Sequence, residues 1–132
     1  AVAARTDPGL VIIARTDALQ PNGWDDAVAR AKRYREAGAD MVFMDGLKTR
    51  ELVEQAARDL HGIPQLLNSW LVTPDEAQAM GFAVYIHLGM MLRHFSDFRR
   101  SLEELRDTGR VAVPAEDLSV EPITRVLLGH DA

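Results

Sequence analysis

Short apolar runs alternate with amphipathic stretches along most of the chain. Leu10–Ala14 (LVIIA) is apolar, rich in β-branched residues and bounded by turn residues, which predicts a strand buried on both faces. After the Asn22-Gly23 turn, Ala27, Val28, Ala31 and Tyr34 recur at helical spacing, while Asp25, Asp26, Arg30, Lys32, Arg33 and Glu36 fall on the other side. That predicts a helix over Trp24–Ala37, with Gly38 where a C-terminal glycine belongs. Met41–Met44 (MVFM) reads as a second strand, ended by Asp45-Gly46. Thr49 is placed to cap a second helix with Leu52, Val53, Ala56, Ala57 and Leu60 inward, closed by His61-Gly62-Ile63-Pro64. Gln65–Leu67 reads as a third strand. Thr73-Pro74-Asp75-Glu76 is a capping box with Pro at the first helical position, so a short third helix starts there and ends by Gly81. Phe82–Leu88 reads as a fourth strand, and Met90–Thr108 as a long helix with Met91, Phe95, Phe98, Leu102 and Leu105 inward. Beyond Gly109 the pattern loosens. Val111–Val113 is a short apolar run, Pro114 and Pro122 interrupt, and Ile123–Leu128 suits a last turn or helix.

A β-α order repeated four times implies an α/β fold with parallel strands joined by right-handed crossovers. The 132 residues suffice for one compact domain, here expected to span 1–132 with a C-terminal extension at 110–132. Ala1–Arg5 resembles the last turn of a helix, and Thr6-Asp7-Pro8-Gly9 ends it, so residues 1–8 are expected to be the tail of a preceding helix. The chain is therefore expected to be a fragment with sequence missing upstream. A net charge of −5 argues against nucleic acid as a partner, which needs a basic footprint. No apolar run approaches the ~20 residues of a membrane span, and no secretory signal pattern is present. Cys is absent, which removes disulfides, thiolate metal ligands and a Cys nucleophile; a cytoplasmic location fits.

In parallel α/β folds, functional groups gather beyond the carboxyl ends of the strands. Each apolar run here turns polar at that end: Arg15-Thr16-Asp17, Asp45-Gly46, Asn68-Ser69 and His87. An Arg fork suits carboxylates, and Asn and Ser can hydrogen-bond a second carboxylate or a developing enolate oxygen. Asp17 could hold a substrate hydroxyl or a metal-bound water. The set suits a small, multiply charged organic acid. A plainer reading stands beside it, because strand ends meet solvent in any α/β protein. It covers His87 most easily and Asp45-Gly46 as an ordinary turn. It covers Arg15 least, since a cation directly after a buried run needs a partner. Trp24, Phe95 and Phe98 read as core. Arg99-Arg100 with Glu103-Glu104 reads as a solvated helix face with pairs one turn apart.

The segment Ile13-Ala14-Arg15-Thr16-Asp17-Ala18 closely resembles the IARTDA-type segment of the isocitrate lyase and phosphoenolpyruvate mutase superfamily. Glu36-Ala37-Gly38-Ala39-Asp40-Met41-Val42-Phe43 and Leu67-Asn68-Ser69 follow in that superfamily's order, and the resemblance covers residues from about 1 to 110. It implies an eight-stranded TIM-type (β/α)8 barrel, of which the four βα units here would be strands five to eight. A whole barrel takes ~250 residues, so this chain would supply about half. The resemblance further implies Mg²⁺ dependence and a small 2-oxo or hydroxy acid substrate. The reaction would be C–C or P–C bond cleavage through a pyruvate-like enolate. By carry-over, Asp45 is the catalytic candidate, Arg15 binds the substrate carboxylate, and Asn68 and Ser69 contact the rest of the substrate. Asp17 and His87 are further candidates. Asp45 is shorter than the Glu frequent at its position, and Met44 stands where Pro is frequent. No metal ligand is recognisable, so the Mg²⁺ ligands are expected mainly in the missing N-terminal half and the chain alone is expected to be inert. A homo-oligomer is expected, with no membrane partner. The lean within the superfamily is towards a carbon–carbon lyase.

Two alternatives remain. Asp40–Gly46 also resembles the phospho-acceptor strand of receiver domains, with Asp45 as acceptor and Ser69 as the later hydroxyl. That fold needs an acidic pair after its first strand and a Lys after its last, where this chain has Arg15-Thr16-Asp17 and His87. The other alternative is a non-catalytic half-barrel that pairs with a partner or a second copy through its open sheet edges.

Overall fold

A computed structural model describes residues 1–112. The expected Pro-interrupted tail and its final helix at Ile123–Leu128 lie outside the described residues, as does most of the 110–132 extension. A 3-10 turn, Val2–Ala4, stands where the tail of an α-helix was expected. The elements that follow are β1 (Ile13–Thr16), α1 (Leu19–Asn22), α2 (Trp24–Glu36), β2 (Met41–Met44), α3 (Arg50–Asp59), β3 (Gln65–Asn68), α4 (Pro74–Ala79), β4 (Val84–Ile86) and α5 (Gly89–Thr108). The chain divides into two compact units, Ala1–Met90 and Met91–Ala132. Among the described residues no helix is long and apolar enough to cross a membrane.

The first unit holds one four-stranded sheet in the order β1-β2-β3-β4, with every neighbouring pair parallel. The helices cover one face of it. Val42, Met44 and Leu67 point to that face and join Ala27, Ala31, Val53, Ala56, Ala57, Leu60 and Ala77 in the core. Alternation puts the other residues of each strand on the opposite face. There Arg15 is in register with Phe43, Phe43 with Leu66, and Asn68 with Ile86. This second face is open: Ile13, Val84 and Ile86 expose 43%, 38% and 45% of their surface. An apolar sheet face without a helix layer, on strands in sequential order, is what half of a (β/α)8 barrel presents. A receiver domain has a different order, with its first strand between the second and third. The sequential order overturns that alternative.

β1 is a correction. It runs Ile13–Thr16 instead of Leu10–Ala14, and only one of its faces is covered. Its position is set by β2: Asp40 and Met41 donate their backbone N–H groups to the Ile12 carbonyl, and Ile13 pairs with Met41. Asp40 fixes the lead-in further by accepting from Ile12 N–H at 2.8 Å and from Arg5. These bonds, the Ile12 amide first, hold the Asp40 carboxyl below its usual range. β4 is shorter than Phe82–Leu88 suggested. The short helix α1 stands where only a turn was expected, and Gly23, at φ 86°, separates it from α2. Gly38 ends α2 as expected; its φ of 95° favours glycine, and a Cβ there would stand 2.9 Å from Val2 Cγ1.

Both helix caps read from the sequence are formed. Thr49 Oγ1 accepts from Leu52 N–H, and the Thr73–Glu76 capping box is complete with Pro74 at the first helical position. Trp24 is half-buried against the core, as expected, and donates its indole N–H to Asp59 at 2.8 Å, tying α2 to α3. Glu76 also accepts from Arg50 at 2.7 Å, joining α3 to α4. The Arg50 bond first, and the Thr73 N–H next, lower its pKa from 4.5 to about 2. A carboxyl depressed in the folded state adds stability above its unfolded pKa and loses it as pH falls through the folded value. Denaturant midpoints are therefore expected to drop between about pH 4.5 and 2, and Glu76→Gln to flatten part of that drop. Identical pH profiles for the two proteins would refute the linkage.

In the second unit, α5 carries the Arg99–Glu103 pair one turn apart at 3.9 Å, as expected. Its apolar stripe is a second correction. Phe95 and Phe98 are 64% exposed, and Met91, Leu102 and Leu105 are exposed as well. The stripe has the spacing of a buried face, but the described residues do not bury it.

Candidate active site

The carboxyl ends of β1 and β2 build the best-formed polar cluster. Arg15 is the third residue of β1 and lies on the open face, its guanidinium carbon 4.9 Å above the Phe43 ring of β2. The ring and the aliphatic stem carry the cation to the rim, where Asp17 and Asp45 flank it. Asp17 accepts from Arg15 Nε at 3.1 and 3.0 Å and from Nη2 at 2.7 Å. Asp45 Oδ2 lies 3.0 Å from the same Nη2. The hydrogen bond that Arg15 donates to Asp17 is the main cause that raises the Arg15 pKa, and the same bond lowers that of Asp17. The guanidinium is thus a fixed cation whose fork is already filled by a carboxylate, in the geometry a substrate carboxylate would adopt. Beside it a cleft of about 260 Å³ is lined by Asp17, Gln20, Asp45, Gly46 and Lys48.

The other sequence candidates lie at the ends of β3 and β4. Asn68 closes β3 on the open face, the face that also carries Arg15. Its Oδ1 is buried and has no hydrogen-bond donor. An unsatisfied buried acceptor costs about 1–3 kcal/mol, so this atom is set up for a donor that a ligand or a further segment can bring. Ser69 follows Asn68 at the end of β3. It is 2% exposed, its N–H donates to the Ile86 carbonyl, and its hydroxyl accepts from Leu71 N–H at 3.0 Å. Its hydroxyl serves the loop after β3. His87 is exposed and packs edge-on against Tyr85, with ring centroids 6.0 Å apart. The Tyr85 hydroxyl donates to the Val72 carbonyl, and burial raises its pKa.

The structure therefore brings Arg15, Asp17 and Asp45 into one cluster and leaves Asn68, Ser69 and His87 outside that cleft. Sequence reading passed over Phe43, hidden within an apolar strand, and Lys48, which follows the strand-end Asp45 in the same loop. Among the described residues no group of three or more His, Cys, Asp or Glu side chains could hold a metal ion. These residues do not by themselves fit Mg²⁺.

Relatives give the cluster its context. The phosphoenolpyruvate phosphomutase family matches residues 1–120. A 2-methylisocitrate lyase of Escherichia coli (strain K12) is 40% identical over 105 residues, covering 75% of this chain and 33% of that protein. The crystal structure of 2,3-dimethylmalate lyase, a member of the PEP mutase/isocitrate lyase superfamily, superposes with a TM-score of 0.67 at 34% identity, covering 88% of this chain and 43% of that one. A phosphonopyruvate hydrolase in complex with oxalate and Mg²⁺ superposes with a TM-score of 0.70 at 26% identity, covering 97% of this chain and 48% of that one. The chain spans less than half the length of each of these proteins. Sequential parallel strands, the Arg15 cluster at their carboxyl ends and the match over residues 1–120 agree: the chain belongs to the phosphoenolpyruvate phosphomutase family.

Proposed function

We propose that this chain is the substrate-positioning half of a Mg²⁺-dependent lyase-type enzyme. The substrate would be a small 2-oxo or hydroxy di- or tricarboxylic acid, cleaved through a pyruvate-like enolate. The observation that supports this most is the Arg15 fork, carried to the strand ends on the Phe43 ring and flanked by Asp17 and Asp45. A substrate carboxylate would replace Asp17 on the fork. Asp45, on the far side of Nη2, is the group nearest the bound acid and the candidate for proton transfer to or from it. Asn68, through its amide, would hydrogen-bond the remaining polar part of the substrate. Ser69, whose hydroxyl accepts from Leu71 N–H, would hold the loop after β3 and offer its O–H to the same part of the substrate. A 2-methylisocitrate lyase, a 2,3-dimethylmalate lyase and a phosphonopyruvate hydrolase that holds oxalate all meet carboxylic acids, which fits a fork of this kind.

The Mg²⁺ ligands would lie on strands that precede β1 in a whole barrel. When bound, the metal would stabilise the developing enolate charge. The chain alone is therefore expected to bind carboxylates weakly and to turn none over. Calorimetric titration with oxalate, which imitates the planar enolate of pyruvate, checks this. Saturable binding that Mg²⁺ leaves unchanged is the expected result. No binding at millimolar oxalate would sink the carboxylate site. Binding strengthened by Mg²⁺, or turnover of 2-methylisocitrate, would sink the assignment of the metal acids to another segment.

A further inference from the structure

We infer that Lys48 is a further substrate-positioning residue, which meets a second carboxylate on the substrate and makes this site select dicarboxylates over monocarboxylates. The inference rests on the carboxylate reading of the cleft and adds to it a residue and a selectivity. Lys48 lies in the loop between β2 and α3, three positions beyond Asp45, and lines the cleft together with Asp17 and Asp45.

The charge balance of the cluster gives Lys48 its role. Arg15 is one cation between two carboxylates, both at ion-pair distance. Those three groups sum to one negative charge, which repels an anion approaching the fork. A single carboxylate that displaces Asp17 restores the count on Arg15 but leaves the Asp17 anion free in the cleft. A dicarboxylate would add a further negative charge and fare worse, unless a second cation stands nearby. Lys48 is that cation, and it forms no ion pair with any described carboxylate, whereas Arg5, Arg15, Arg30, Arg50 and Arg106 are all paired. Its flexible stem and compact ammonium suit a group whose position changes with substrate length. Division of labour follows: the rigid fork of Arg15 fixes the reacting end of the acid, and Lys48 receives the distal one.

Malate and lactate share a hydroxy-acid head and differ in the distal carboxylate, so they isolate this contact. Dissociation constants of both, measured calorimetrically on the whole chain, are expected to favour malate by about fivefold to tenfold at low salt. Lys48→Met is expected to remove that preference, weakening malate binding several-fold more than lactate binding, and Lys48→Arg to keep it. Rising salt should shrink it in the wild type, because the ammonium is exposed. A Lys48→Met chain that still prefers malate overturns the role of Lys48 while the carboxylate site stands. A wild-type chain that binds neither acid overturns the site, and the inference with it. Because lactate binding reports on folding and on Arg15 together, a variant that has merely unfolded is recognised by its loss.

Discussion

Arg15→Met is expected to weaken oxalate binding by about a hundredfold or more. The fork offers two parallel N–H donors to one carboxylate, and hydrogen bonds to charged groups contribute roughly 1.5–3 kcal/mol each. The substitution also leaves Asp17 and Asp45 facing each other across the cleft without the cation that now separates them. Their repulsion adds to the loss and opposes any incoming anion. Arg15→Lys is expected to recover little, because an ammonium cannot span both oxygens of a planar carboxylate or stack on Phe43 as the guanidinium does. Asp17→Asn makes the informative contrast. In the free chain Asp17 holds the fork in the manner proposed for substrate, so neutralising it removes a competitor. Tighter oxalate binding by Asp17→Asn is expected. Equal affinity of wild type and Arg15→Met for oxalate would show that the ligand sits elsewhere.

The local signals in the sequence were legible because they depend on few neighbours. Thr49 and Thr73 form the expected caps because the bonds close within one helical turn. Met41–Met44 formed the expected strand because its short apolar run is bounded on both sides. Non-local features were misread. β1 slid towards Thr16 because its register comes from β2, which no window around residue 10 contains. Arg15 and Thr16 look like a strand end in sequence, yet both carry ladder pairing, and this places Arg15 on the Phe43 ring. The α5 stripe has helical spacing, and spacing alone cannot state whether anything covers it.

Leu67→Ala is expected to cost about 2–5 kcal/mol, a large share of a typical domain's stability of roughly 5–15 kcal/mol. Leu67 is 1% exposed and points to the helix-covered face, where it is packed into the core with Val42, Met44 and Ala77. The shortened side chain leaves a cavity that the close-packed helices cannot fill by small shifts. Ile86 on the opposite face is the matched comparison. It is 45% exposed in the chain alone, so Ile86→Ala is expected to cost less than about 1 kcal/mol. Urea unfolding of both variants at unchanged slope measures the difference directly. A small effect at Leu67 would overturn the assignment of the covered face. A large effect at Ile86 would mean that the open face is buried in solution. A cost at Ile86 that falls on dilution would identify a second copy of the chain as the cover. The open face would then be an interface between two copies of the chain.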